Sequence, residues 1–150
     1  MIILNLGCGT TASSDDRVVN IDWSLYLRIK SNAVLRRIAM SAFNDHRKKR
    51  LLSLPENVMV YDLRKGVPFD DQSVDVVYHA HLLEHIDRSD VLGFLSECNR
   101  VLRPKGKIRI VVPDLHQLVT DYIESYQSCK MGKTLPKDHD KSIAHILEQC

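Results

Sequence analysis

Met1-Ile2-Ile3-Leu4-Asn5-Leu6-Gly7-Cys8-Gly9-Thr10 opens the chain. An apolar run of strand formers meets two glycines with no polar linker between them. That is the pattern of a buried parallel strand, placed at residues 2–6, ending in a tight loop where backbone comes close to a ligand. Thirteen residues after Gly9, a second apolar run, Arg17-Val18-Val19-Asn20-Ile21-Asp22, ends on a carboxylate. A glycine loop after the first strand and an acid closing the second make up the nucleotide half-site of a doubly wound α/β fold. The glycines would let backbone amides face the ligand, and Asp22 would accept hydrogen bonds from ribose hydroxyls.

The rest of the chain continues this pattern. Residues 10–16 are polar, with room for one helical turn, which is short beside the dozen or so residues of a usual parallel crossover. Residues 23–54 follow helical spacing, and Ser31 or Asn32 is placed to cap a helix from Ala33 that Pro55 stops. Residues 57–61 read as the third strand, closing on Asp62 and Leu63, and residues 73–78 as the fourth. Residues 79–86 leave it in a short helical stretch. Ser89 or Asp90 then caps a helix with Val91, Leu92, Leu95, Cys98, Val101 and Leu102 on one face. Residues 103–106 form a turn, and 107–112 the fifth strand. Asp114 caps a helix with Leu115, Leu118, Val119, Tyr122 and Ile123 inward, and a last helix runs from about Asp138 with Ile143, Ile146 and Leu147 apolar. Five strands alternating with helices predict a parallel sheet, and right-handed crossovers give the order 3-2-1-4-5.

One hundred and fifty residues make one domain, 1–150, with a sizeable core. No apolar run reaches the ~20 residues of a membrane helix, and the first strand begins with no leader before it. Cys8, Cys98, Cys129 and Cys150 have neither metal nor redox spacing, so the expected setting is a reducing cytoplasm. The formal charge of +2 is uneven. Residues 28–50 carry Arg28, Lys30, Arg36, Arg37, Arg47, Lys48, Lys49 and Arg50 against Asp45 alone. That segment stands at +7 and the remainder at −5. Such a block attracts phosphates or an anionic membrane surface; the plainer reading is a solvated helix face.

Several stretches share one likeness: Leu4-Asn5-Leu6-Gly7-Cys8-Gly9, Val19-Asn20-Ile21-Asp22, and Asp62-Leu63-Arg64 leading to residues 67–78. Leu82-Leu83-Glu84-His85, residues 100–106 and residues 108–115 complete it. Over residues 1 to about 125 the chain resembles class I S-adenosylmethionine-dependent methyltransferases, and among them the small bacterial type-11 group found with polysaccharide genes. The resemblance implies a Rossmann-like doubly wound sheet binding S-adenosyl-L-methionine. Asn5, Gly7, Cys8 and Gly9 would hold the methionine end, Asp22 the ribose, and Asp62 with the Leu63 amide the adenine. His79 and Ala80 would line the methyl side. Two departures stand out: the third glycine of the family loop is Thr11, and the acid often found two before Gly7 is Asn5. The family sheet adds two strands after the fifth, but no strand pattern follows residue 112. The sheet is therefore expected to be truncated at its C-terminal strands, with an exposed edge suited to homodimerisation.

Methyl transfer to a hydroxyl would need a base. His81 is the first candidate, with Glu84 and His85 beside it; the plainer role of these residues is to brace the short helix. The acceptor implied by the resemblance is a small molecule or a saccharide-linked group. His81-Leu82-Leu83-Glu84-His85 also spells the H-x-x-E-H zinc signature, but it lacks a long helix and a third ligand, so no metal is expected. A nicotinamide site would want glycine where Ala12 stands. A binding module that keeps the fold without the chemistry is the remaining alternative. A nucleic-acid acceptor would suit the basic block, yet no aromatics interleave with its charges.

Overall fold

The computed structural model describes residues 1–133, 137, 139–141, 143 and 144. Two compact units are formed, Met1–Ile110 and Val111–Cys150. The first holds the sheet: β1 (Ile3–Leu6), β2 (Val18–Asp22), β3 (Val58–Val60), β4 (Val74–Ala80) and β5, which begins at Leu102 and runs to Val111. Their order is β3-β2-β1-β4-β5, as the strand pattern predicts. β1 lies parallel to both β2 and β4, and β2 lies parallel to β3.

Alternation along β1 divides its two faces. Leu4 and Leu6 are fully buried with Ile21, Val74 and Val77, and this layer packs with Phe94, Cys98 and Val101 of α4 (Val91–Val101). Those three recur at the spacing of one helical face. Each large apolar side chain buried this way contributes about 1.5–3 kcal/mol. Asn5 lies between the two leucines and therefore points to the opposite face, where the register sets it beside Asn20. Asn5 Nδ2 donates to Asn20 Oδ1 at 3.0 Å. Asn20 in turn accepts from the Ser13 amide at 2.9 Å and donates to the Ser13 carbonyl at 2.9 Å. This buried amide pair fixes the β1–β2 loop, which carries no helix.

The segment after β2 folds as three helices rather than one: α1 (Leu25–Ser31), α2 (Ala33–Ala42) and α3 (Asp45–Leu52). Asn32 caps α2 as expected, accepting from the Val34 and Leu35 amides. Phe43 then turns extended and Asn44 caps a new helix by accepting from the Arg47 amide. The basic run therefore forms α3 rather than the end of a longer helix. Leu27, Ala39, Leu51 and Leu54 close a small core within the segment.

Other expectations need correction. Residues 103–106 are not a separate turn: β5 starts at Leu102 and runs through them, with Lys105 at φ 71°. β4 continues through His79 and Ala80, and between Ala80 and Ile86 the helical residues are the single 3₁₀ turn Leu83–His85. Leu92 is 79% exposed because Phe94, rather than Leu92, completes the inward face of α4. Asp90 stands at the N-cap of α4 but makes no side-chain capping bond.

In the second unit, Asp114 caps α5 (Leu115–Lys130) by accepting from the Gln117 amide. Of the five apolar residues expected inward there, Leu118 is buried, while Leu115, Val119, Tyr122 and Ile123 are exposed. His139 meets the rings of Tyr122 and Tyr126. Asp138, Ile146, Leu147 and Cys150 lie outside the described residues; Ile143 is helical and exposed.

Arg100 locks the approach to β4. Its guanidinium donates to Glu97 at 2.8 Å, to Asp71 at 2.7 Å, and to the Val67 and Phe69 carbonyls at 2.9 Å. The Arg100 charge, with the Val67 amide, holds the Glu97 carboxyl at about 2 instead of 4.5. A carboxyl depressed on folding stabilises above its unfolded value, and that contribution is lost as pH falls from about 4.5 towards about 2. Arg100→Ala is expected to lower the unfolding free energy by about 2 kcal/mol in urea titration. It should also flatten the loss of stability across that acid window.

Candidate functional site

The cleft lies at the carboxyl ends of β1, β2 and β3. Gly7 and Gly9 both adopt positive φ, 67° and 52°. A Cβ on Gly7 would come within 2.9 Å of Leu82 Cδ1, so a side chain there would strain the backbone and displace Leu82. The loop amides do not face outward as the glycine pattern suggests. Gly7 N–H donates to the Ile21 carbonyl at 2.8 Å, Cys8 N–H to the same oxygen at 3.3 Å, and Gly9 N–H to Asp22 Oδ2 at 2.9 Å. The end of β2 takes all three. Of this loop, Gly7 lines the cleft.

Asp22 is 9% exposed. Its second oxygen accepts from the Ser24 amide at 2.6 Å, so one carboxylate joins the glycine loop to the entry of α1. Burial, with the Asp22 charge second, pushes the Cys8 thiol up to about 11. Asp62 is 8% exposed and caps the 3₁₀ turn Leu63–Lys65. Arg64 grips it with two charge-assisted bonds, Nε to Oδ1 at 2.8 Å and Nη2 to Oδ2 at 2.7 Å. That guanidinium holds the Asp62 carboxyl at about 2.

Gly7, Asp22, Asp62 and Leu63 line one cleft of about 870 Å³, together with Trp23 and His85. Leu82, Ile86 and Phe94 form its apolar wall. Of the residues selected from sequence, five are thus brought together. Asn5, Cys8 and Gly9 are not among the lining residues. Asn5 is spent on Asn20 and on the Thr11 carbonyl. His79, inside β4, is fully buried with its ring edge-on to Phe94, centroids 5.5 Å apart. Its nitrogens find no partner among the described residues. Burial therefore pushes its pKa below 6.5, against an opposing pull from Glu84.

His81 sits just beyond β4 at φ 50°, half exposed, with Nδ1 3.3 Å from Glu84 Oε1. That is an ion-pair distance without hydrogen-bond geometry, since both Glu84 oxygens lack a hydrogen-bond partner among the described residues. His81 precedes the 3₁₀ turn and His85 ends it, so the two do not share a helix face. No cluster of three metal-binding side chains occurs among the described residues. The sequence reading missed Arg64, whose signal was legible: a guanidinium two residues after a strand-end acid reaches back to it.

The profile of the family described as "Methyltransferase domain" matches residues 4–110, more than half of the chain. The chain belongs to the methyltransferase-domain family. The matched region of this methyltransferase domain contains every cleft residue named above, and its strand order is that of the class I S-adenosylmethionine-dependent fold. A "Probable S-adenosylmethionine-dependent methyltransferase" of Mycolicibacterium smegmatis is 42% identical over 57 residues, covering 35% of this chain and 21% of the relative. The crystal structure of PH0226 protein from Pyrococcus horikoshii superposes with a TM-score of 0.52 at 25% identity, over 81% of this chain and 53% of that one. The methyltransferase domain described here thus spans about half the length of that structure and a fifth of the curated relative.

Gly7→Ala tests the loop. The left-handed backbone alone costs about 1–2 kcal/mol for an L side chain, and the Leu82 contact adds to it. Thermal melting is expected to shift down by several degrees, about 2–4 °C per kcal/mol for a chain of this size. An unchanged melting temperature would contradict the described loop.

Proposed function

We propose that this methyltransferase domain binds S-adenosylmethionine in the 870 Å³ cleft and methylates a small-molecule or saccharide-linked acceptor. The observation that carries this reading is the convergence of Gly7, Asp22 and Asp62 on one hollow at the carboxyl edge of the sheet. The residues present fit the cofactor. Gly7 lines the hollow beside both acids. A carboxylate has about four acceptor positions, so Asp22, with two taken by backbone amides, keeps capacity for a pair of ribose hydroxyls. Asp62 and the Leu63 amide suit the adenine edge, with Arg64 giving up part of its hold on the acid. When bound, the cofactor supplies a methyl group on a sulfonium, open to in-line displacement.

The chain supplies position and dryness. Leu82, Ile86 and Phe94 exclude water beside the reacting region. Among the three base candidates, His85 lines the cleft, and it is proposed to take the acceptor proton. His81 and Glu84 are proposed to position the turn that carries it. The acceptor class rests on the likeness read in the sequence. The exposed Ile108 and Ile110 on β5, the strand at the end of the sheet, support pairing between two copies. A strictly monomeric mass at high protein concentration would refute that pairing.

The test separates binding from chemistry. In calorimetry, Asp22→Asn and Asp62→Asn are each expected to weaken S-adenosylmethionine binding by about 1.5–3 kcal/mol, roughly ten- to a hundredfold. His85→Ala should leave that affinity unchanged and lower turnover on an acceptor. An unmodified chain that shows no binding refutes the proposal. Binding without turnover on any acceptor selects the second reading, a non-catalytic module.

A further inference from the structure

The segment α1–α3 combines two features that the cleft does not use. Along α2, Val34, Leu35 and Ile38 are 68%, 45% and 57% exposed. Val34 and Ile38 stand four apart and so share one face, with Leu35 beside them. Ala39, four residues after Leu35 and so at the inner edge of this stripe, belongs to the small core with Leu27 and Leu51, against which Val34, Leu35 and Ile38 do not pack. The aliphatic stripe is therefore surplus to the packing that holds α2 in place.

The second feature is uncompensated charge. Lys30 meets Glu56 at 3.4 Å. Arg28, Arg47 and Arg50 lie over the rings of Trp23, Phe43 and Tyr26. Among the described residues, Arg36, Arg37, Lys48 and Lys49 make no ion pair at all. A purely solvated basic face needs no exposed aliphatic stripe. A polyanion such as RNA gains nothing from one, and the ring faces that could stack on bases already carry guanidinium groups. An anionic bilayer uses both features. Its phosphates attract the cations, and its acyl boundary takes up the aliphatic side chains.

We infer that α1–α3 is a docking surface for an anionic phospholipid membrane. α2 lies flat in the interface, with Val34, Leu35 and Ile38 directed into the acyl boundary and its own Arg37 beside the headgroup phosphates. Lys48 and Lys49 of α3 add to the attraction. The attachment is peripheral: no described helix is long and apolar enough to cross a membrane. The docked segment starts where the cleft rim ends, since Asp22, Trp23 and Ser24 line the cleft and α1 begins at Leu25. Docking would bring that rim to the membrane surface, and acceptors carried there would be within its reach. The docking itself does not depend on the methyl-transfer reading, because it is measured without cofactor.

The full chain is sedimented with vesicles of phosphatidylcholine, with vesicles of phosphatidylcholine mixed with phosphatidylglycerol, and, separately, titrated with a single-stranded RNA oligonucleotide. Partition into the phosphatidylglycerol vesicles alone is expected. Arg37→Gln/Lys48→Gln/Lys49→Gln should lower that partition by about a hundredfold, from about 1 kcal/mol per basic residue near the surface. Val34→Ser/Ile38→Ser should lower it about tenfold with an unchanged circular dichroism spectrum, since loss of the aliphatic contact weakens interfacial binding. Trp23, the single tryptophan, gives a readout that needs no substitution: its emission should shift to the blue on phosphatidylglycerol vesicles. The inference is overturned by absence of partition, by partition indifferent to the Val34/Ile38 change, or by tighter capture of RNA than of vesicles.

Discussion

The carboxylate of Asp22 has two oxygens and two duties. One accepts the Gly9 amide and the other the Ser24 amide, so the end of β2 grips the loop after β1 and starts the chain into α1. The Ile21 carbonyl adds a second hold on the same loop through the Gly7 and Cys8 amides. Without a crossover helix between β1 and β2, little else fixes that loop. What remains is the Asn5–Asn20 pair on the far face of the sheet, which anchors its other end at Ser13. A buried carboxylate with hydrogen-bonded oxygens tolerates its desolvation, whereas one left bare would not. The shape of the cleft therefore depends on a few polar contacts at one sheet edge, and the leucine layer beneath supplies the rigidity.

This arrangement explains why the glycine pattern was legible and its chemistry was only half so. Positive φ at Gly7 and Gly9 follows from the sequence, because an apolar strand cannot turn so sharply otherwise. The direction of the amides does not follow, because it is set by the carbonyl of Ile21, which sequence spacing cannot orient. Asp22 and Asp62 were readable as strand-end acids. Sheet order then brought them to one hollow, since β2 and β3 are neighbours and parallel. His79 illustrates the opposite case. The strand pattern was ended at Tyr78, but β4 runs two residues further, and alternation carries the ring into the core against Phe94.

Helix reading failed where packing partners decide the outcome. The cap at Asn32 was plain, being a local hydrogen bond, and so was the cap at Asp114. The break at Phe43 was hidden because no glycine or proline marks it anywhere in residues 33–54. Leu92 and Phe94 are equally apolar, and only the position of the sheet selects which one is buried.

The thiols carry a practical consequence. Cys8 is held near 11 and Cys98 near 12, both by burial first, with Asp22 and Glu97 adding to the effect. The thiolate is the species that air oxidation and alkylating reagents attack, and at neutral pH neither site populates it appreciably. Among the described cysteines, that leaves Cys129, which is partly exposed, as the first to react. Among the described cysteines, a maleimide dye would accordingly mark Cys129 on α5 and spare Cys8 in the loop after β1.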